Sequence, residues 1–216
     1  MKRYFNGPPA EMPDGVVLID KPAGLTSHDV VDRIRRRFRI RKVGHGGSLD
    51  PQATGLLVVL LGKGTRLSDR FLNSDKEYEG ILRLGLTTDS YDLDGEVQTE
   101  TSWEGIDREQ VEAVMRRFQG DVMQTPPMVS AVKKGGVPLY KLARKGQEVE
   151  REARLVHLYE FTLLSFDPPH VGFRLRCTKG TYVRSLCHDV GQALGCGAVL
   201  AALRRTASGA FRVEEA

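Results

Sequence analysis

Hydrophobic positions along the chain change period several times, and the changes mark its elements. Val16-Val17-Leu18-Ile19 is a short apolar run stopped by Lys21-Pro22-Ala23-Gly24, which predicts a buried strand entering a turn. Thr26-x-x-Asp29 then opens a helix on which Val30, Val31, Ile34 and Phe38 recur at helical spacing, leaving the arginines between them largely on the opposite face. Leu56 to Leu61, bounded by Gly55 and Gly62, predicts a central strand, and Thr65 through Leu72 a short helix. Tyr78, Gly80, Leu82 and Leu84 alternate with Glu77, Glu79, Ile81 and Arg83 as in a strand, with Tyr78 at its beginning.

Asp94-Gly95 marks a tight turn, and Asp107-x-x-Gln110 starts a helix whose Val111, Val114, Met115 and Phe118 form a core stripe ended by Gly120. Residues 124–152, with three prolines, a Lys-Lys-Gly-Gly turn and many charges, read as a surface excursion. Strands over Leu155 to Phe166 and Val171 to Cys177 precede a helix carrying Val183, Leu186, Cys187, Val190 and Leu194, with Gly195 as its stop. Strands and helices mix without regular βαβ alternation, so the expected class is α/β of the α+β type, with a mixed, mainly antiparallel central sheet flanked by helices.

A chain of 216 residues with 40% hydrophobic content can bury a core as one large domain or two small ones, and we read one domain over 1–216. No apolar run approaches the roughly 20 residues of a membrane span, and the polar N-terminus lacks the form of a secretory signal, so no membrane association and a cytoplasmic location are expected. Cys177, Cys187 and Cys196 are odd in number and lack CxxC spacing, which predicts buried, reduced thiols. The histidines form no metal-ligand pair of the usual helix spacing, and no metal is expected.

The net charge of +4 favours an anionic partner only mildly, but its distribution says more. Arg33, Arg35, Arg36, Arg37, Arg39, Arg41 and Lys42 fall in ten residues with no acid, interleaved with Ile34, Phe38 and Ile40. Such a folded basic segment suits a polyanion, because arginine holds phosphate bidentately. It leads directly into His45-Gly46-Gly47-Ser48-Leu49-Asp50-Pro51, a glycine-rich, proline-stiffened loop able to present Asp50 to a substrate. Aspartate before proline is equally how a helix begins, with aspartate as N-cap.

The run Val43 to Gly55 resembles the signature of the TruB family of tRNA pseudouridine synthases, whose nucleophilic aspartate sits where Asp50 does. The resemblance recurs in order at Leu18 to Ser27, Ser74 to Tyr78, Gly85 to Ser90, Asp92 to Gly95, Pro126 to Lys133, Tyr140 to Gly146, Lys179 to Arg184 and Leu203-Arg204-Arg205. It implies the pseudouridine synthase fold, a thumb-like insertion at about 124–152, and isomerisation of uridine to pseudouridine in the T-arm loop of tRNA without a cofactor. On this resemblance Asp50 is catalytic and Arg184 its electrostatic partner. Tyr78 stacks on the target base, Tyr182 walls the pocket, His45 contacts RNA near the flipped uridine, and Leu203 lies at the site's edge. Lys21 belongs to a motif supporting the catalytic loop and counts among the substrate-binding residues, while Arg204 and Arg205 meet phosphates of the RNA backbone. On the residues alone, Arg184, Lys21, Arg204 and Arg205 read as solvent-facing charges, and both tyrosines as core.

Two departures from the family pattern stand out. Gly46 replaces a common threonine and is expected to loosen the loop, and the PUA domain that commonly follows in the family is not expected after Phe211. The expected partner is therefore tRNA gripped by the catalytic face and thumb of a monomer, with no obligate protein partner. The alternatives are a non-catalytic RNA-binding or ribosome-assembly factor and a pseudouridine synthase acting on another RNA.

Overall fold

The computed structural model of the chain describes residues 14–130, 133–139, 147 and 149–216. They fall into two compact units, one running up to Tyr78 and resuming at Arg204–Ala216, the other Glu79–Leu203. The fold is mixed α/β. Most of its strand pairings are antiparallel, with a parallel one where the C-terminal segment joins.

In the first unit, β1 (Gly15–Lys21) pairs antiparallel with β3 (Thr54–Leu61) along its length, Gly15 facing Leu61 and Lys21 facing Gly55. The other edge of β3 is shared. The short β2 (Val43–His45) pairs antiparallel with its end, from Val59 to Leu61. Arg204 and Arg205 of β12 (Ala198–Ser208) run parallel to its start at Thr54 and Gly55. The Asp50 loop joins β2 to β3, so it leaves and re-enters the sheet beside β12. Helix α1 (Ser27–Phe38) begins with the expected capping box between Thr26 and Asp29, and Arg39 closes it in a left-handed conformation.

Both faces of β3 are covered, which is why Leu56 to Leu61 is apolar without alternation. Leu57, Val59 and Leu61 pack with Val30 and Val31 of α1, Ile40 and Val43. Leu56, Val58 and Leu60 pack with Val213, Phe71 and Phe211. Phe38 departs from the predicted stripe: it is 64% exposed, and Ile40, after the left-handed turn, fills the core instead. The short helix predicted over 65–72 is a 3-10 turn, Gly62–Leu67, followed by α2 (Ser68–Leu72).

In the second unit the strand order is β12, β4 (Lys76–Leu84), β11 (His170–Cys177), β10 (Arg154–Asp167) and β7 (Gly120–Gln124). β4 alternates buried and less buried positions as its sequence predicts. Helix α3 (Arg108–Arg117) carries the predicted Asp107/Gln110 capping box and buries Val111, Val114 and Met115; Gly120 opens β7 rather than ending the helix. Helix α4 (Val183–Leu194) ends at Gly195, whose φ of 81° suits a glycine stop. β5 (Leu86–Thr88) pairs with β6 (Val97–Glu100) around the Asp94-Gly95 turn. Within the expected insertion, β8 (Lys133–Lys134) and β9 (Val137–Pro138) form a small hairpin; residues 131, 132, 140–146 and 148 of that insertion lie outside the described residues. The three cysteines are free and buried, as predicted. Among the described residues no helix is long and apolar enough to cross a membrane.

Candidate active site

The loop carrying Asp50 is fixed on both sides, and Asp50 itself is exposed between buried Leu49 and Ala53. The Asp50-Pro51 pair starts no helix. The Ala53 N–H donates to the Asp50 carbonyl at 3.1 Å, and β3 begins at the next residue. On the N-terminal side the Leu49 N–H donates to Ser27 Oγ at 2.8 Å, and Ser27 Oγ donates back to the Leu49 carbonyl at 3.3 Å. On the C-terminal side the Pro51 carbonyl accepts from the Gly24 N–H at 2.9 Å and from Lys21 Nζ at 3.1 Å.

Lys21 is wholly buried, and its ammonium also donates to the carbonyls of Pro22 at 3.0 Å and Leu25 at 2.8 Å. Burial lowers its pKa, the negative charge of Asp50 acts in the opposite sense, and the Arg205 cation lowers it further. Lys21 therefore braces the loop through main-chain carbonyls. As a residue in contact with substrate it is corrected, since none of it is exposed.

Arg205 is corrected in the same way. It is 2% exposed, and its guanidinium donates to the carbonyls of Leu56 at 2.7 Å, Ser48 at 3.2 Å and Gly47 at 3.1 Å. A side chain so enclosed offers nothing to a phosphate. Gly55, with φ of 96°, admits this close approach: a Cβ there would stand 2.3 Å from the Arg205 carbonyl oxygen. Arg204 stays partly exposed and holds Asp20 bidentately, at 3.0 and 2.6 Å, which lowers the Asp20 pKa.

Half-buried His45 accepts from the Gly47 N–H through Nδ1 at 3.3 Å. Burial, with the Arg205 and His28 charges, lowers its pKa, so it is neutral near pH 7. Gly46 does not loosen the loop. Its N–H donates to the Val58 carbonyl at 2.8 Å, and a Cβ there would lie 2.5 Å from Phe71 Cβ, so the position is closely packed. Tyr78, third in β4, is 9% exposed.

The second unit holds Arg184, Tyr182 and Leu203. Arg184, in the first turn of α4, is no surface charge: it is 4% exposed and donates to the carbonyls of Ser90 at 3.0 Å and Val129 at 2.7 Å. Its Nε lies 3.6 Å from the Asp92 carboxylate, to which Ser90 Oγ also donates. Tyr182 is the N-cap of α4, and its backbone N–H and C=O are both held by the Gln124 side chain, at 2.7 and 2.9 Å. Leu203, in β12, is half-buried. Sequence reasoning gave no role to Ser27, Ser90, Asp92 or Gln124. Three of them lie inside quoted motifs, which was the available signal, whereas Gln124 carried none.

The family model described as "TruB family pseudouridylate synthase (N terminal domain)" matches residues 35–183, and that described as "tRNA pseudouridylate synthase B C-terminal domain" matches 184–216. The chain is similar to the tRNA pseudouridine synthase B of Opitutus terrae, 55% identical over 203 residues, covering 94% of this chain and 84% of the relative. It is also similar to the protein of that name from Syntrophotalea carbinolica, 50% identical over 203 residues, with 94% of this chain and 66% of the relative covered. Among solved structures it resembles a chain of a Cbf5-Nop10-Gar1 complex at 36% identity and a TM-score of 0.72, covering 92% of this chain and 50% of that one. A chain of an H/ACA RNP bound to a substrate RNA matches at 32% identity and a TM-score of 0.68, with 92% and 48% covered. The chain thus spans about half the length of these solved relatives.

Proposed function

Since the chain belongs to the TruB family of pseudouridylate synthases, we propose that it isomerises uridine to pseudouridine in the T-arm loop of tRNA, with Asp50 as the reacting carboxylate. One observation carries the assignment: Asp50 is an exposed carboxylate on a loop whose flanks are tied down by buried side chains. Such preorganisation suits a group that must meet one ribose carbon.

The reaction breaks the bond from ribose C1′ to uracil N1, turns the base, and joins C1′ to C5. The C5 proton is lost and N1 gains one, so nothing is oxidised and no external group is added. The proposed reaction therefore proceeds without a cofactor. An ionised carboxylate serves either as nucleophile at C1′ or as base toward C2′. The base leaves its stack to reach the site, where Tyr78 and Tyr182 are its proposed stacking and wall residues; aromatic stacking of such a base contributes about 1–3 kcal/mol. His45 is assigned a shape-recognition role, consistent with its neutrality. Leu203 is assigned to the edge of the site and Arg184 to the electrostatic partner of Asp50, both on the family resemblance.

The exposed Arg33, Arg36, Arg37, Arg39, Arg41 and Lys42 supply the surface for RNA phosphates. We assign residues 124–152 to a thumb closing on the RNA, the chain as a whole to one catalytic domain acting as a monomer without a protein partner, and its place of action to the cytoplasm. A single-turnover assay on a T-arm stem-loop, with binding measured in parallel, tests the reading. Wild type should form pseudouridine, while Asp50→Asn binds the RNA equally and forms none. A wild type that binds tightly without turnover would support the non-catalytic alternative.

A further inference from the structure

We propose that Arg205 is a positioning residue for Asp50, clamping the catalytic loop from the C-terminal segment of the chain. The inference rests on the assignment of Asp50 as the reacting carboxylate.

The three Arg205 hydrogen bonds grip both arms of the loop. Gly47 and Ser48 precede Asp50, and Leu56 follows it. One planar group thus sets the separation of the two strands of backbone from which Asp50 projects. The five N–H donors of a guanidinium lie in a rigid fork, so three carbonyls held by it are fixed in direction as well as distance. A lysine at this place would keep the charge and lose the fork.

The geometry around the clamp leaves little slack. Arg205 is among the largest fully buried side chains, and its backbone pairs with Gly55, where any Cβ would meet the Arg205 carbonyl oxygen. The loop lies in the segment matched by the N-terminal family model and Arg205 in the segment matched by the C-terminal one. The last residues of the chain therefore complete the seat of a carboxylate placed in its first quarter. Lys21 performs the complementary task from β1, at the Pro51 carbonyl.

The consequence is a division between holding RNA and reacting with it. Arg205 is sealed from solvent, so its replacement should leave affinity for a T-arm stem-loop within about three-fold. A misplacement of the carboxylate by about 1 Å is enough to cost on the order of 100-fold in rate. Arg205→Lys and Arg205→Met are compared with wild type and with Met115→Ala, a core variant of the second unit. Melting temperature, RNA dissociation constant and single-turnover rate are measured well below every melting transition.

The expected result is a fall of 30-fold or more in single-turnover rate for Arg205→Lys, with binding preserved and no comparable fall in Met115→Ala. Three results would overturn the proposal: a rate within about three-fold of wild type in a folded variant, a rate loss matched by lost affinity, or failure of both Arg205 variants to fold. The last would make Arg205 a keystone of the fold and not a positioning group. Inactivity of wild type itself would instead overturn the assignment of Asp50, leaving the two failures distinguishable.

Discussion

The loop's most informative residue, after Asp50, is a glycine that does the opposite of what its type suggests. Gly46 sits against Phe71, where a Cβ would lie 2.5 Å from that residue's Cβ. Gly46→Thr should therefore destabilise by about 1–3 kcal/mol in urea unfolding, and its cost should shrink in a Phe71→Gly background, which removes the Cβ it meets. Simple additivity would contradict this coupling. Asp189 gives a second prediction. Burial raises its pKa to about 6, so the folded state holds a proton that the unfolded chain releases near the ordinary 3.8. Its contribution is present below the ordinary value and is lost as pH rises through about 6. Asp189→Asn should then be the more stable protein at neutral pH, by about 1 kcal/mol after allowing for partial exposure, with the difference vanishing in acid. Equal melting curves at every pH would contradict it. The exposed, ordered loop that carries Asp50 was legible because its glycines and proline are local signals. The burial of Lys21, Arg184 and Arg205 was not, since each cation is satisfied by carbonyls brought from distant segments, which residue type alone cannot reveal.

Among the elements, those with local start and stop signals matched their sequence. The Thr26/Asp29 and Asp107/Gln110 boxes and the Gly195 stop all appear where spacing placed them. Thr26→Ala should cost about 1 kcal/mol of stability, read by urea unfolding. β12 received no prediction, because Ala198 to Arg205 contains good helix formers and no strict alternation; its pairing with β3 decides the matter. Phe38 failed the predicted stripe for a similar reason, as the helix ends there and Ile40 reaches the core after the turn. Helix α1 and the basic segment that follows it also carry a prediction for binding. Replacing exposed Arg36, Arg37 and Arg41 by glutamine should weaken tRNA binding and flatten its salt dependence, by about one unit of log–log slope per lost phosphate contact. An unchanged slope would remove this face from the RNA interface.

At the scale of the molecule, the fold and the family agree: a mixed sheet flanked by helices, and relatives about half identical over 94% of the chain. On the proposed reading one exposed aspartate reacts, and buried Lys21 and Arg205 hold its loop. The most direct test is pseudouridine mapping of an unmodified tRNA transcript after incubation with the purified protein, without added cofactor, beside Asp50→Ala. Conversion of the T-loop uridine by wild type and by no Asp50→Ala preparation is the predicted result. Conversion by the variant at a comparable rate, or none by a wild type that binds the transcript tightly, would contradict it.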